Sequence, residues 1–313
     1  MNVVFLGTPE FAVPTLQKLS TAGIRIQAVF TRKDKKVGRH QALTPPPVKV
    51  AADKMGLPIY QPSTLKKEAN REPLVQLCPD AIVVVAYGMI LPPQVLSIPR
   101  LGCINLHPSL LPAFRGAAPI NWALIQGEKE TGITTMLMDE GLDTGPVLIQ
   151  RRTAIHPDED AGALSRRLAL MGADLMAETL QKLDQGILSP APQEHARATG
   201  APMLKKEDGK IDWTMGAFAL KNRIRGLSPW PGSFCFYGGK RIKVISAEVA
   251  ANVRLDEQGR PGEIVAMEAE GLLIRCGENS VLTLKTVQME GKKTLPAAEF
   301  LRGVSLKAGD ILV

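Results

Sequence analysis

Apolar and polar positions follow one rhythm in the first part of the chain and another in the last. At the start, "NVVFLG" (2–7) is a run with no polar alternation, as expected of a strand buried on both faces, and it stops at Gly7. Thr8, Pro9 and Glu10 then predict a helix start: Thr8 placed to cap, Pro9 suited to the first turn, Glu10 meeting the positive helix end. "RIQAVFT" (25–31) after Gly23, "AIVVVAYG" (81–88) and "GCINLH" (102–107) repeat the strand pattern, and stretches such as "PVKVAADKMG" (47–56) between them read as helical. Such alternation predicts an α/β fold: a mostly parallel, Rossmann-like sheet with helices on both faces. In such sheets ligands bind at the carboxyl ends of the strands, which is where "GCINLH" ends.

The rhythm changes after the helical stretch 161–183. The segment "DQGILSPAPQEHARATGAPMLKKEDG" (184–209) is polar and rich in Pro and Gly, the composition of a linker. Beyond it, "SFCFYGGKRIKVISAEV" (233–249), "GEIVAMEAEGLLIRCG" (262–277) and "SVLTLKTVQM" (280–289) are short strand-like pieces separated by glycine turns, predicting a small, OB-like β-barrel. The expected domains are therefore 1–187, a linker over 188–206, and 207–313.

Composition narrows the chemistry only a little. The 313 residues are 45% hydrophobic, enough for a sizeable core, and the net charge of +7 favours a polyanionic partner without requiring one. Four scattered cysteines with no C-x-x-C pair suggest neither a zinc site nor a disulfide framework. The opening "MNVVFLGTPEF" lacks the basic stretch and cleavage site of a secretory leader, and no apolar run is long enough to span a bilayer, so the cytoplasm is the expected compartment. Gly7-Thr8-Pro9-Glu10-Phe11 is not the glycine fingerprint of a dinucleotide site, which argues against a nicotinamide cofactor.

Only four histidines occur, and one ends the strand at "INLHPSLLPAFRGAAPINWAL" (104–124). In an extended strand Asn105 and His107 share a face. Alone, that pair reads more readily as a strand-terminating asparagine with a histidine satisfied by backbone contacts. A third polar group, Asp143 in "MDEGLDTGPV" (138–147), lies between Gly141 and Gly145 in a loop joining two strand-like runs. An asparagine, a histidine and an aspartate, with no serine or cysteine placed as nucleophile, suit acyl transfer to an amine that the substrate itself supplies. A carboxamide can donate to a developing oxyanion, and an imidazole held by a carboxylate can manage the ammonium proton. Metal chemistry is less attractive, because asparagine is a poor zinc ligand and His40, His156 and His195 have no ligand spacing to His107. No metal is expected.

These two motifs resemble those of the formyltransferases that use 10-formyltetrahydrofolate. "FLGTPEFAVPTL" at the start, "DKKVGRHQALTPPPVK" after the second strand and "IRGLSPWPGSFCFYGGKRIKV" (224–244) extend the resemblance over nearly the whole chain, toward those members of the family that formylate methionyl initiator tRNA. The resemblance implies that Asn105, His107 and Asp143 are catalytic, that Ser109, Leu110, Leu111 and Pro112 line the folate site, and that Ile90 adds to it. It also implies that the loop 33–44 enters the tRNA acceptor stem, with Arg39 as its key arginine beside Lys35 and Lys36. This sequence departs there: Lys33 and Lys36 stand where prolines are common and His40 where glycine is usual, which makes the loop more basic and less stiff. Lys221, Arg223, Arg225, Lys240, Arg241 and Lys243 offer a basic face for the tRNA, and Trp230, between two prolines, reads as a packing anchor. The expected partners are methionyl initiator tRNA and the folate co-substrate, with no membrane and a monomeric chain. The rival readings are a formyltransferase acting on a nucleotide amino-sugar, against which the long basic loop argues, and a non-catalytic RNA-binding protein, against which the intact Asn/His/Asp set argues.

Overall fold

The computed structural model describes residues 1–313 apart from Arg39, His40, Asn252, Asp256, Glu257 and the side chain of Val37. Its contacts divide the chain into two compact units. The first comprises 1–119, 130–154 and 165–201, the second 120–129, 155–164 and 202–313. Neither is a continuous stretch, unlike the expected 1–187 and 207–313, because two short excursions, 120–129 and 155–164, group with the second unit.

Eleven strands are found in the first unit among the described residues: β1 (Asn2–Gly7), β2 (Arg25–Phe30), β3 (Lys35–Val37), β4 (Ala42–Thr44), β5 (Ile59–Tyr60), β6 (Ala81–Val85), β7 (Cys103–His107), β8 (Arg115–Gly116), β9 (Glu130–Leu137), β10 (Val147–Ala154) and β11 (Gly200–Ala201). Seven of them form the main sheet in the order β10-β9-β7-β6-β1-β2-β5. From β5 to β7 all pairs are parallel, and β9 and β10 add an antiparallel edge. The predicted mostly parallel sheet is the one found. β1 and β6 bury nearly every side chain, the reason their sequences run apolar without alternation.

The first helix starts later than its signals predict. Pro9 precedes a short 3-10 turn, Glu10–Ala12, and the α-helix runs Val13–Thr21. Thr8 caps neither; its hydroxyl donates to the Tyr87 carbonyl at 2.9 Å and so ties the end of β1 to the chain leaving β6. A long-range carbonyl has outcompeted the local cap. Strand order reverses between these two neighbours, so the crevice at their carboxyl ends opens where the loop holding Ile90 leaves β6 and Asn105 and His107 end β7.

The segment expected as a linker runs against the first unit over its first part. Ala191 and Val147 exchange two backbone hydrogen bonds of 2.8 Å, Gln193 is buried, and β11 pairs with β8. Its Pro and Gly content reflects a chain that leaves regular structure yet follows the sheet.

The second unit holds β12 (Ser233–Tyr237), β13 (Lys240–Val249), β14 (Ile264–Glu268), β15 (Gly271–Cys276), β16 (Ser280–Met289) and β17 (Leu295–Pro296), in the antiparallel order β12-β13-β16-β15-β14 with β17 on β16. Its ends are joined by the last residues of the chain. Val313 exchanges backbone hydrogen bonds with Phe236 of β12, while Leu312 donates to Gly262 at 2.8 Å and Asp310 accepts from Ile264 of β14 at 2.8 Å. The sheet thus closes as a small barrel around Trp213, Cys235, Ile242, Ile274, Leu282 and Leu312. The helix Ala217–Gly226 buries Leu220 and Ile224, one turn apart, against it.

Two expectations for this unit change. Trp230 is 53% exposed and does not anchor packing. The basic face is smaller than the sequence suggests: Lys221 pairs with Glu248, Arg223 donates to the Asp208 carbonyl, Arg225 donates to the carbonyls of His156, Pro157 and Glu159, and Arg241 stacks on Phe234, 3.7 Å from the ring centre. Lys240 and Lys243 remain exposed. Because Leu312 sits in the barrel core where the tail closes the sheet, Leu312→Ala should destabilise this unit by about 2–5 kcal/mol. All three tryptophans, Trp122, Trp213 and Trp230, lie in the second unit, so urea unfolding followed by tryptophan fluorescence reads that loss directly.

Candidate active site

β7 brings two of the expected site residues together. Asn105 and His107 lie on one face at its carboxyl end, in register with Met136 and Thr134 of β9. His107 is 4% exposed, while the Asn105 carboxamide is only partly buried and takes no hydrogen-bond partner among the described residues. Cys103 shares their face, but burial pushes its thiol up to about 12, so it is no nucleophile at neutral pH.

His107 Nε2 lies 2.9 Å from the Phe114 carbonyl oxygen. A carbonyl only accepts, so Nε2 carries the hydrogen and the neutral ring turns its basic Nδ1 toward Asp143, whose Oδ2 is 3.7 Å away. That is too long for a hydrogen bond and close enough for strong electrostatic coupling. The imidazole titrates below its ordinary range because burial disfavours the cation, an effect the Asp143 charge and then the Phe114 carbonyl oppose. The ring is therefore neutral and basic near pH 7, and a proton arriving on Nδ1 meets a carboxylate.

Asp143 is supplied by the loop between β9 and β10, in the left-handed region at φ 53°. Gly145 lets this loop close on β9: a Cβ there would lie 1.8 Å from the Leu137 carbonyl oxygen. The carboxylate accepts the backbone N–H of Gly116 at 2.8 Å. Gly116 has φ 125° and a Cβ would come within 2.6 Å of the Ala201 carbonyl oxygen, so β8 can lie beside β11 only with glycine there.

Of the loop expected to line the folate site, Ser109 and Leu111 are buried, while Leu110 and Pro112 keep exposed surface. The Ser109 hydroxyl is spent on the Ala113 carbonyl at 2.6 Å. Ser109 and Leu111 thus shape the loop, and Leu110 and Pro112 are its accessible members. The loop is pinned from β9 and β10. Thr134 Oγ1 donates to Ser109 O at 2.6 Å and accepts from Leu111 N at 3.2 Å, and Gln150 Nε2 donates to Leu111 O at 2.7 Å. Ile90 stands 80% exposed after β6. Lys35 and Lys36 are exposed on β3 of the β3–β4 hairpin, and Arg39 lies outside the described residues. The hairpin's base is held by Asp34, whose carboxylate takes Lys49 and Gln61.

Sequence reasoning missed Thr134, Gln150 and Gln193. Thr134 had a signal, a polar residue repeated inside the apolar run "TGITTML"; Gln193 had none, since it sits in the Pro- and Gly-rich stretch read as a linker. Among the described residues, no three or more His, Cys, Asp or Glu side chains are grouped to hold a metal ion, and no helix is long and apolar enough to cross a membrane.

Comparison with known proteins now bears on this site. Residues 1–180 match the formyl transferase family and residues 203–305 the formyl transferase C-terminal domain. A methionyl-tRNA formyltransferase of Citrifermentans bemidjiense is 48% identical over 312 residues, covering 100% of this chain and 96% of its own. One of Caldanaerobacter subterraneus subsp. tengcongensis is 47% identical over 313 residues and covers 100% of both. The chain belongs to the methionyl-tRNA formyltransferase family. The fold of this formyltransferase is shared more widely: WlaRD, a sugar 3N-formyl transferase, superposes with a TM-score of 0.66 at 16% identity over 94% of this chain and 99% of that one. HypX from Aquifex aeolicus, solved with tetrahydrofolic acid, does so at 0.63 and 18% identity over 99% of this chain and 50% of that one.

The environment of His107 in this formyltransferase makes a titration prediction. Its imidazole, followed by NMR, should titrate below 6.5, and further below in Asp143→Asn, because that substitution removes the charge favouring the cation while burial stays. A rise in the Asn variant would show that Asp143 does not act on the ring.

Proposed function

We propose that this formyltransferase transfers the formyl group of 10-formyltetrahydrofolate to the α-amino group of methionine on initiator tRNA, giving N-formylmethionyl-tRNA for translation initiation. One observation carries the reading: an unengaged carboxamide beside a buried neutral imidazole whose basic nitrogen faces a carboxylate, in a chain with full-length relatives named for this reaction. The site fits a folate donor. Leu110, Pro112 and Ile90 offer apolar surface around the strand end, and the free Asn105 amide is the kind of donor a formyl oxygen requires. The folate supplies an activated formyl carbon and a departing nitrogen that needs a proton.

The residues then divide the work. Asn105 donates to the formyl oxygen as the amine nitrogen bonds to the carbon and negative charge gathers there. His107 takes the proton from the resulting ammonium at Nδ1, where Asp143 stabilises the new cation. That proton goes on to the departing nitrogen as the old carbon–nitrogen bond breaks, so the enzyme ends as it began. For the tRNA, we place backbone contact on Lys35 and Lys36 of the β3–β4 hairpin, on Arg39, which follows them in the sequence, and on the exposed lysines of the barrel unit, with the formyl chemistry in the first unit.

His107→Ala should lower kcat by about two to four orders of magnitude with the fold intact, and Asn105→Ala by roughly two to three. Near-normal turnover in either folded variant removes that residue from the reaction. Acceptor identity is tested by offering the folate donor with charged initiator tRNA, a nucleotide amino-sugar or glycinamide ribonucleotide and following which one gains the formyl group. A tRNA grip by the hairpin predicts that Lys35→Ala with Lys36→Ala raises KM for charged tRNA, leaves folate binding unchanged, and flattens the slope of log affinity on log salt by about one to two. An unchanged slope would remove both lysines from the tRNA contact.

A further inference from the structure

Asp143 is held twice, and both holders meet at the Arg115–Gly116 dipeptide. Gly116 takes the carboxylate through its backbone N–H. The backbone of the loop is held by Gln193, a residue only 7% exposed, whose Nε2 donates to the carbonyls of Asp143 at 2.9 Å and Gly145 at 2.7 Å. Gln193 is held in turn by Arg115, whose Nη2 and Nε donate to its Oε1 at 2.6 and 3.1 Å. Arg115 also reaches His195 Nδ1 at 3.3 Å, and the Ala191–Val147 pairing keeps the segment beside β10.

The side-chain chemistry of this knot is specific. Two carbonyls need N–H donors and a guanidinium needs an acceptor, and a carboxamide is the side-chain group that presents both from one planar head. A carboxylate of the same size would satisfy Arg115 and turn a lone pair on both carbonyls. Buried groups left without partners cost more than the bonds themselves contribute, so the loop would move to recover them.

We propose that Gln193 is a positioning residue for formyl transfer: its two N–H groups fix the Asp143 loop, and Arg115 joins that loop to β8, so that the carboxylate stays at its working distance from the His107 ring. The proposal rests on the reading of Asn105, His107 and Asp143 as the reacting set. Productive geometry tolerates displacements of about half an ångström, and a misplacement of about 1 Å can cost on the order of a hundredfold in rate. The loop has no other described hold on the Asp143 and Gly145 carbonyls.

The experiment is steady-state kinetics on the full chain carrying Gln193→Glu or Gln193→Ala, with the pH profile of kcat/KM and a circular dichroism melt for each. Both variants should lose about 10- to 100-fold in kcat, with KM for folate donor and tRNA little changed. In Gln193→Ala the acid limb of the profile should also move to lower pH. Asp143 is the charged group that faces the imidazole, and as it drifts away less holds the proton on the ring. A merely structural role would lower the amount of active enzyme without moving the limb. The proposal is overturned if kcat stays within about threefold of the parent, if the limb is unmoved, or if Gln193→Glu restores what Gln193→Ala loses, since that would leave the Arg115 contact alone as the cause. His107→Ala separates the two failures. If it is inactive while the Gln193 variants behave as the parent, only the positioning role falls; if it turns over normally, the reading beneath it falls as well.

Discussion

The hydrogen bond from His107 Nε2 to the Phe114 carbonyl decides which ring nitrogen is left for chemistry, and a long stretch of chain is arranged to keep it. To bring that carbonyl over the ring, the chain leaving β7 must fold back within seven residues, and Phe114 sits at φ 60° to do so. The return is held from three sides: Ser109 on Ala113, Thr134 on the Ser109 carbonyl, and Phe114 N on Thr199 Oγ1 at 2.8 Å. If the carbonyl moved, nothing described would hold the hydrogen on Nε2 and leave Nδ1 as the basic nitrogen.

Burial and charge pull the same ring in opposite directions, and the balance suits a proton carrier. Burial disfavours the protonated ring, while the facing carboxylate favours it. The 3.7 Å between Nδ1 and Oδ2 sets how strongly that charge acts on the ring. The same loop of Asp143 is tethered at both its carboxylate and its backbone, so the distance is a property of the fold rather than of one flexible side chain.

In the second unit the positive charge has two uses. The arginines of the helix Ala217–Gly226 bind carbonyl oxygens within the unit, where a guanidinium's several donors can hold more than one carbonyl at once. Lys240 and Lys243 on β13 are left to meet solvent or a polyanion. Net charge therefore overstates the surface available to nucleic acid, because guanidinium groups that structure the fold are counted with the rest.

Strand periodicity and local spacing carried much of this protein. The unbroken apolar runs of β1 and β6 announce a buried parallel sheet, and a two-residue period puts Asn105 and His107 of β7 on one face whatever the tertiary fold. The glycine-flanked Asp143 and the long "INLHPSLLPAFRGAAPINWAL" motif are equally local, and the family resemblance was visible in them. What the sequence could not contain is pairing between positions far apart. Thr8 reaches Tyr87 instead of capping its helix, the excursions 120–129 and 155–164 join the second unit, and Gln193, fifty residues beyond Asp143, closes on its carbonyl. These choices are made when unsatisfied polar groups from distant segments are buried together and must find one another; periodicity is a property of neighbours along the chain, and it is silent on partners that only folding brings into reach.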